Sequence, residues 1–302
     1  MNALARRVWT HRAFYLMLTL PVLYYVLFKY GPLYGTVIAF KDFHTASGIL
    51  GSPFADPWYR HFAYFFHSPY FTQLLANTLL ISLYKLFFGM PMSILLAVAL
   101  NEVSRGWYKR TIQTVTYLPH FLSWVIVYGI MYALLSESMG AVNGLIRSLT
   151  GRTVPFMTSP AWFRPLLVGS EIWAQTGWGA IIYLAAIAGI DPTLYEAAAI
   201  DGATRIGMIR RITLPSIAYV IVILLVLRMG SILEAGFEQI YIFYNVRVYS
   251  VGDVIDTWVF RTGLEQWNFS LASAVGLFKS AIGMTLMLLV NPIARRWGYS
   301  LW

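Results

Sequence analysis

"DPTLYEAAAIDGATRIGMIRRITLPSI" runs from Asp191 to Ile217 and decides how the rest of the chain is read. Asp191 followed by Pro192 is a helix start, because an aspartate oxygen caps free N–H groups and proline suits the first helical position. Glu196 to Ile200 continues that helix, and Asp201-Gly202 is a turn signal. A second helical piece, Ala203 to Ile212, leads into Pro215. Ala197, Ala198, Ala199 and Ala203 are small and let another surface approach the backbone closely. The stretch therefore predicts two short helices joined at a glycine, lying between two long apolar segments.

Those apolar segments set the fold class. Of 302 residues, 58% are apolar and only 12% charged, against roughly 25% charged in soluble domains. One water-soluble domain of this composition would expose too much apolar surface, a difficulty that lipid removes. With about 20 helical residues needed per crossing, six segments qualify: Phe14–Phe40, Phe71–Leu100, Thr111–Leu135, Leu166–Ile190, Leu214–Leu233 and Leu271–Pro292. Pro21, Lys29 and Gly31-Pro32 interrupt the first, and Gly89 with Pro91 marks a kink in the second. The reading is an all-α, polytopic membrane protein of about six transmembrane helices. It forms a single transmembrane domain over 1–302, with 191–213 as a loop on the inner face. The 11 Trp and 20 Tyr suit membrane interfaces.

Charge gives the orientation. With the N-terminus inside, the short inner segments hold 11 of the 22 basic residues, among them Arg6, Arg7, Arg105, Arg210 and Arg296. The longer outer loops hold seven, and Lys29, Lys85, Arg228 and Lys279 lie at membrane depth or near its edge. This bias predicts that both termini are cytoplasmic. It also accounts for the net charge of +9 without nucleic acid. The first apolar stretch lacks a small-residue cleavage site and reads as a retained helix. Among the outer loops, "AVNGLIRSLTG" (141–151) reads as a short helix lying flat on the outer membrane face. The terminal "RRWGYSLW" reads as an apolar tail beneath the membrane.

Several chemistries are excluded. There is no cysteine, so disulfide scaffolds and thiolate sites are absent. The five histidines show no His-x-x-x-His spacing, and His61 reads as a surface or packing residue. There is no Gly-x-Ser-x-Gly elbow for a membrane-embedded hydrolase. No glycine-rich phosphate loop ends in Gly-Lys-Ser/Thr, so ATP would have to be bound by another chain. No internal repeat of the kind common in secondary transporters is visible.

The segment Glu196 to Pro215 resembles the EAA loop of binding-protein-dependent ABC importer permeases. That family's pattern is Glu-Ala-Ala, three residues, Gly, nine residues, Ile-x-Leu-Pro. Glu196, Ala197, Ala198, Gly202, Ile212, Leu214 and Pro215 fill every named place. "YGPLYGTVIAFKDF" from Tyr30, "YLPHFLSWVIV" from Tyr117 and "GLEQWNFSLASAVGLFKSAIG" from Gly263 are similar to the LplB-type branch for complex sugars, whose relatives include alginate importers.

The resemblance implies the MetI-like permease fold and a non-catalytic subunit of an oligosaccharide importer in the bacterial inner membrane, with acidic sugars such as alginate as a narrower expectation. It implies a second homologous permease, two cytoplasmic ATPases carrying ATP and Mg, an extracytoplasmic sugar-binding protein, and no cofactor in this chain. It further implies that Glu196, Ala197, Ala198, Asp201, Gly202, Arg205, Met208 and Ile209 couple the loop to an ATPase. Glu196, Asp201 and Arg205 are expected to fix it by charged hydrogen bonds, and Met208 and Ile209 to fill an apolar pocket in the partner. A permease for peptides or lipids shares the loop and stays open at this stage.

Polar residues at membrane depth face a cavity or a partner. The candidates for the substrate pathway are Asn77, Lys85, Trp124, Glu171, Trp173, Gln175, Arg228 and Lys279. Trp178 and Tyr183 offer further flat faces to sugar rings. The bland alternative is that Glu171 and Lys279 pair, while Lys85 snorkels to the interface or faces a second permease.

Overall fold

The structure, a computed structural model, describes residues 9–296 and Gly298. The basic start at Arg6 and Arg7 lies outside these residues, as does the C-terminal tail from Trp297 except for Gly298.

Two compact units can be distinguished. The first comprises the chain up to Ser68 together with Val259–Phe278. It opens with α1, Arg12–Tyr25, which passes into a π turn at Val26–Tyr30 and a 3₁₀ run at Gly31–Phe40. The change of winding follows from Pro32, which has no N–H for the bond four residues back. Together these pieces form a 29-residue candidate span. No residue of α1 is buried, so its apolar surface calls for lipid or a second chain. Beyond it, Lys41 bridges to Phe54, and its ammonium donates to the carbonyls of Ile49 (2.7 Å) and Ser52 (3.0 Å). Asp42 pairs with Arg60.

The second unit comprises Pro69–Trp258 and the last helix after Phe278. Its helices are α2 (Phe71–Glu102), α3 (Gly106–Tyr117), α4 (Trp124–Leu135), α5 (Ala141–Thr150) and α6 (Pro160–Ala188). They are followed by α7 (Pro192–Ile200), α8 (Arg205–Met208), α9 (Ala218–Gly230) and α10 (Phe237–Phe243). The last helix, α11 (Phe269–Arg296), begins in the first unit and ends in the second. Among the described residues, the candidate spans by length and apolar character number three single helices, or up to six when each bent pair counts as one. Helix α2 continues through Pro91 and α11 through Pro292.

The third span departs from the expected straight helix at Thr111–Leu135. Helices α3 and α4 meet at 106° across a 3₁₀ turn at Leu118–Phe121. Pro119 removes a backbone donor there, and the Ser123 hydroxyl caps the restarted helix by accepting from Ile126 N. The expected fifth span, Leu214–Leu233, is likewise interrupted: the run Arg205–Ser216 meets α9 at 54°, with Pro215 just before the break.

Small residues set the closest helix crossings. A Cβ on Gly177 of α6 would collide with the Thr116 carbonyl of α3, and one on Gly283 of α11 with the Gly230 carbonyl. A Cβ on Gly179 would lie 2.6 Å from the Ser93 hydroxyl of α2. In lipid, where apolar burial gives little drive between helices, such backbone approach is how spans associate. Below the Gly179 crossing, Ala97, Ala180, Tyr183, Ile187 and Ile217 form one buried cluster. Ile81, Phe163, Leu167, Ile240 and Val254 belong to another.

Replacing Gly177 or Gly283 by alanine should lower the thermal unfolding temperature in detergent, at a cost of about 1–3 kcal/mol each for overpacking. Alanine at Gly144 of α5, where a Cβ would meet nothing within 4 Å, should leave that temperature unchanged or raise it.

Candidate functional site

The sequence places one lysine in the middle of α2, and the fold has to satisfy it. The side chain of Lys85 is buried. Its ammonium donates to the Ala235 carbonyl (2.8 Å) and to Gln239 Oε1, and lies 3.4 Å from Glu171 Oε2. Gln239, fully buried on α10, donates in turn to the Leu167 carbonyl (2.8 Å) and the Ser170 hydroxyl (2.9 Å) of α6. One lysine thus ties α2, α6 and the segment entering α10. Gly236 makes this possible. Its φ of +92° is a left-handed conformation, and a Cβ there would stand 2.7 Å from the lysine nitrogen.

Beside this tie lies a cavity of about 440 Å³. Lys85, Glu171, Gln175 and Arg228 line it, together with Trp178 and Tyr183. The Arg228 side chain makes no ion pair among the described residues. Gln175 Oε1 lies 2.8 Å from His120 Nδ1, and the imidazole stacks on Trp178 with centroids 4.4 Å apart and planes 4° apart.

The remaining pathway candidates are dispersed. Asn77 is buried between α2 and the Tyr249–Gly252 turn, donating to the carbonyls of Ser250 (3.2 Å) and Asp253 (2.9 Å) and accepting from Arg164 (2.7 Å). Trp124 packs against a buried cluster. Trp173 lines a different cavity with Val115, Pro119 and Gly177. Lys279 pairs with Asp256. In place of the alternative Glu171–Lys279 pair the structure has Lys85–Glu171 and Lys279–Asp256, and Lys85 neither snorkels nor faces outward.

The polar loop is built as a helix, a reversal and a second turn. The Asp191 carboxylate caps α7 by accepting from Thr193 N at 2.9 Å. That bond holds its pKa below the ordinary aspartate value. Helix α7 ends with two bonds typical of a left-handed glycine cap, Gly202 N–H to Ala199 O (3.1 Å) and Ala203 N–H to Ala198 O (2.9 Å). Gly202 has a φ of +75°. Thr204 then caps α8 by accepting from Gly207 N at 3.2 Å. A π turn at Ile209–Thr213 follows, and the Thr213 hydroxyl shares a 2.9 Å hydrogen bond with Tyr195 of α7.

The loop borders a cavity of about 600 Å³ lined by Asp201, Thr204, Met208 and Arg211 among others. Glu196, Asp201 and Arg205 are exposed and make no ion pair within the described chain. Met208 and Ile209, expected to project toward a partner, are half-buried. The apolar side chains that project are Ile200, 88% exposed, and Ile206, 64% exposed. Among the described residues, no group of three or more His, Cys, Asp or Glu is placed to hold a metal.

Comparison with known proteins settles the assignment. Residues 89–299 match the family described as "Binding-protein-dependent transport system inner membrane component". The chain belongs to this family. It is a multi-pass membrane permease subunit of an ABC importer rather than an enzyme, and membership implies an importer complex around it. It is 45% identical over 94% of its length to the polygalacturonan/rhamnogalacturonan transport system permease protein YteP of Bacillus subtilis (strain 168), covering 88% of that protein. It is 44% identical over 98% of its length to Protein LplB of the same organism, covering 91% of it.

Among solved structures it is similar to a chain of a bacterial ABC transporter involved in the import of the acidic polysaccharide alginate. The TM-score is 0.88 and the identity 40%, over 98% of this chain and 99% of that one. A chain of the MetNI methionine transporter, 15% identical with a TM-score of 0.50 over 74% of this chain and 93% of its own, shares the fold alone.

Lys85→Ala should leave Gln239 Oε1, the Ala235 carbonyl and Glu171 without their donor, costing about 3–5 kcal/mol as for other broken buried pairs. Glu171→Gln should cost less, because the lysine keeps its other two partners. Thermal unfolding of the purified protein checks the order.

Proposed function

We propose that this chain is one transmembrane half of an ATP-driven importer of acidic oligosaccharides in the bacterial inner membrane. The observation that carries the reading is the charge balance of the 440 Å³ cavity. Glu171 is matched by Lys85, so Arg228 stands as an unmatched cation on the wall. A low-dielectric wall strengthens such a charge and favours an anionic cargo. Trp178 on the same wall adds a flat apolar face of the kind sugars use, whereas Tyr183 is buried in the helix packing. The cargoes named for the relatives support the same class.

The segment 191–213 is proposed as the cytoplasmic coupling loop. ATP-driven closure of a partner must become movement of helices, and a short capped helix tied to two spans is a suitable lever. Glu196, Asp201 and Arg205 offer free charges for the ATPase. Ala197, Ala198 and Gly202 permit close approach, while Ile200 and Ile206 replace Met208 and Ile209 as its apolar contacts. The basic inner segments support cytoplasmic termini. The complex then comprises a second homologous permease, two ATPase subunits that bind ATP and Mg, and an extracytoplasmic sugar-binding protein. Transport is by alternating access. Closure of the ATPases turns the cavity outward to take sugar from the binding protein, and hydrolysis returns it inward.

Two measurements test this. In proteoliposomes holding the whole complex, Arg228→Gln should lower uptake of an oligogalacturonate about tenfold. Unchanged uptake would refute the acidic-sugar reading. The double change Ile200→Asp with Ile206→Asp should abolish co-purification of the ATPase while leaving the unfolding temperature of the permease unaltered.

A further inference from the structure

We propose that Trp178 is the ring-stacking platform of the sugar path and that His120 is the residue that positions it. The proposal rests on the oligosaccharide reading above and goes further by assigning roles to particular side chains.

Trp178 lies on α6, 46% exposed, and lines the cavity. One face is covered by the His120 imidazole in a near-parallel stack, and the Phe121 ring meets it edge-on at 5.8 Å. The indole is therefore braced from one side, with the cavity beside it. A hexose presents a patch of C–H bonds on each face, which matches an indole plane, and hydroxyls at its rim.

The rim is served by Gln175, one helical turn before Trp178 on the same helix and lining the same cavity. Its Oε1 lies 2.8 Å from His120 Nδ1. A carbonyl oxygen can only accept, so Nδ1 is the protonated nitrogen. The Gln175 amide nitrogen has no partner within the described chain and keeps both N–H groups for sugar hydroxyls. His120 thus performs two tasks at once: its plane fixes the indole, and its N–H fixes the amide. Immobilising both groups before cargo arrives removes part of the ordering cost of binding.

The placement of His120 has a local cause. It sits in the 3₁₀ turn Leu118–Phe121 at the break between α3 and α4. In a continuous helix its ring would be carried on with the helical register.

The experiment uses the reconstituted importer with its ATPases, second permease and binding protein, and a tetragalacturonate as probe. Sugar delivered per ATP hydrolysed is measured alongside thermal unfolding. Trp178→Ala should lower delivery per ATP about tenfold, and Trp178→Phe only about twofold because an aromatic face remains. His120→Ala should fall between them. His120→Asn, whose amide N–H can replace Nδ1–H toward Gln175, should recover part of the loss. Unfolding temperatures close to wild type across the set would separate this from a packing role. Wild-type delivery by Trp178→Ala or His120→Ala would overturn the proposal alone, as would equal losses in Trp178→Phe and Trp178→Ala. A wild-type complex that moves no oligosaccharide would overturn the sugar reading and this proposal with it.

Discussion

A lysine placed mid-way along a spanning helix has to be satisfied inside the protein, and much of the second unit is arranged to do so. Hydrocarbon offers no acceptor, so each of the three ammonium protons needs one from the chain. Ala235, Gln239 and Glu171 supply them. Each brings its own requirements. The Ala235 carbonyl is aimed by a chain reversal that needs a residue without a side chain at Gly236. Gln239 must be buried, so its amide nitrogen is satisfied by Leu167 and Ser170 on α6. Glu171 is drawn to the edge of the cavity, and that leaves Arg228 as the unmatched charge there. The electrostatic character of the cavity is thus a consequence of how one buried cation is paid for.

The same logic explains where the helices break. Spans α2 and α11 carry prolines yet remain continuous. The third span breaks because a proline at 119 is followed four residues later by a serine able to cap a new helix. A missing donor alone bends a helix, whereas a missing donor with a ready cap allows it to restart in another direction. The restart puts His120 and Phe121 against Trp178. In the polar loop the caps are stronger, with an aspartate, a left-handed glycine and a threonine within fourteen residues. A segment so closely capped holds its shape in water, which suits the coupling role proposed for it.

The spans were legible because composition and the length of apolar runs report directly on lipid burial. The architecture of the loop was legible too: Asp191-Pro192 and Asp201-Gly202 are local signals, and the structure places a cap and a left-handed glycine at those points. What the sequence did not disclose depends on partners far along the chain. Lys85 meets Gln239 across 154 positions, and nothing local distinguishes Glu171 or Asp256 as the acid for a given lysine. Gln239 and Gly236 lie in a stretch of mixed character that reads as an outer loop, with no local signal of a buried partner for Lys85. The bend after Phe121 was hidden by an apolar run that continues across it, although Pro119 and Ser123 were visible signals. Ile200 is exposed at the end of α7, next to the reversal at Gly202, and Ile206 lies in the single turn of α8, so their exposure depends on loop geometry that helical periodicity does not convey.

These two regions are joined by α6, and that continuity bears on how the protein works. The helix carries Glu171, Gln175 and Trp178 on the cavity wall and ends at Ala188, three residues before the Asp191 cap. At its lower end α7 departs at 71°, and the Tyr195–Thr213 hydrogen bond fastens α7 to the entry of α9, whose other end presents Arg228. A force applied to the loop therefore acts on two of the three helices that line the cavity, through a helix of eight turns on one side and a short turn on the other. A helix is stiff along its axis because its backbone hydrogen bonds lie nearly parallel to it. On the coupling role proposed above, displacement at the loop reaches Glu171, Gln175 and Trp178 through the short break at Gly189-Ile190 and then along a single helix.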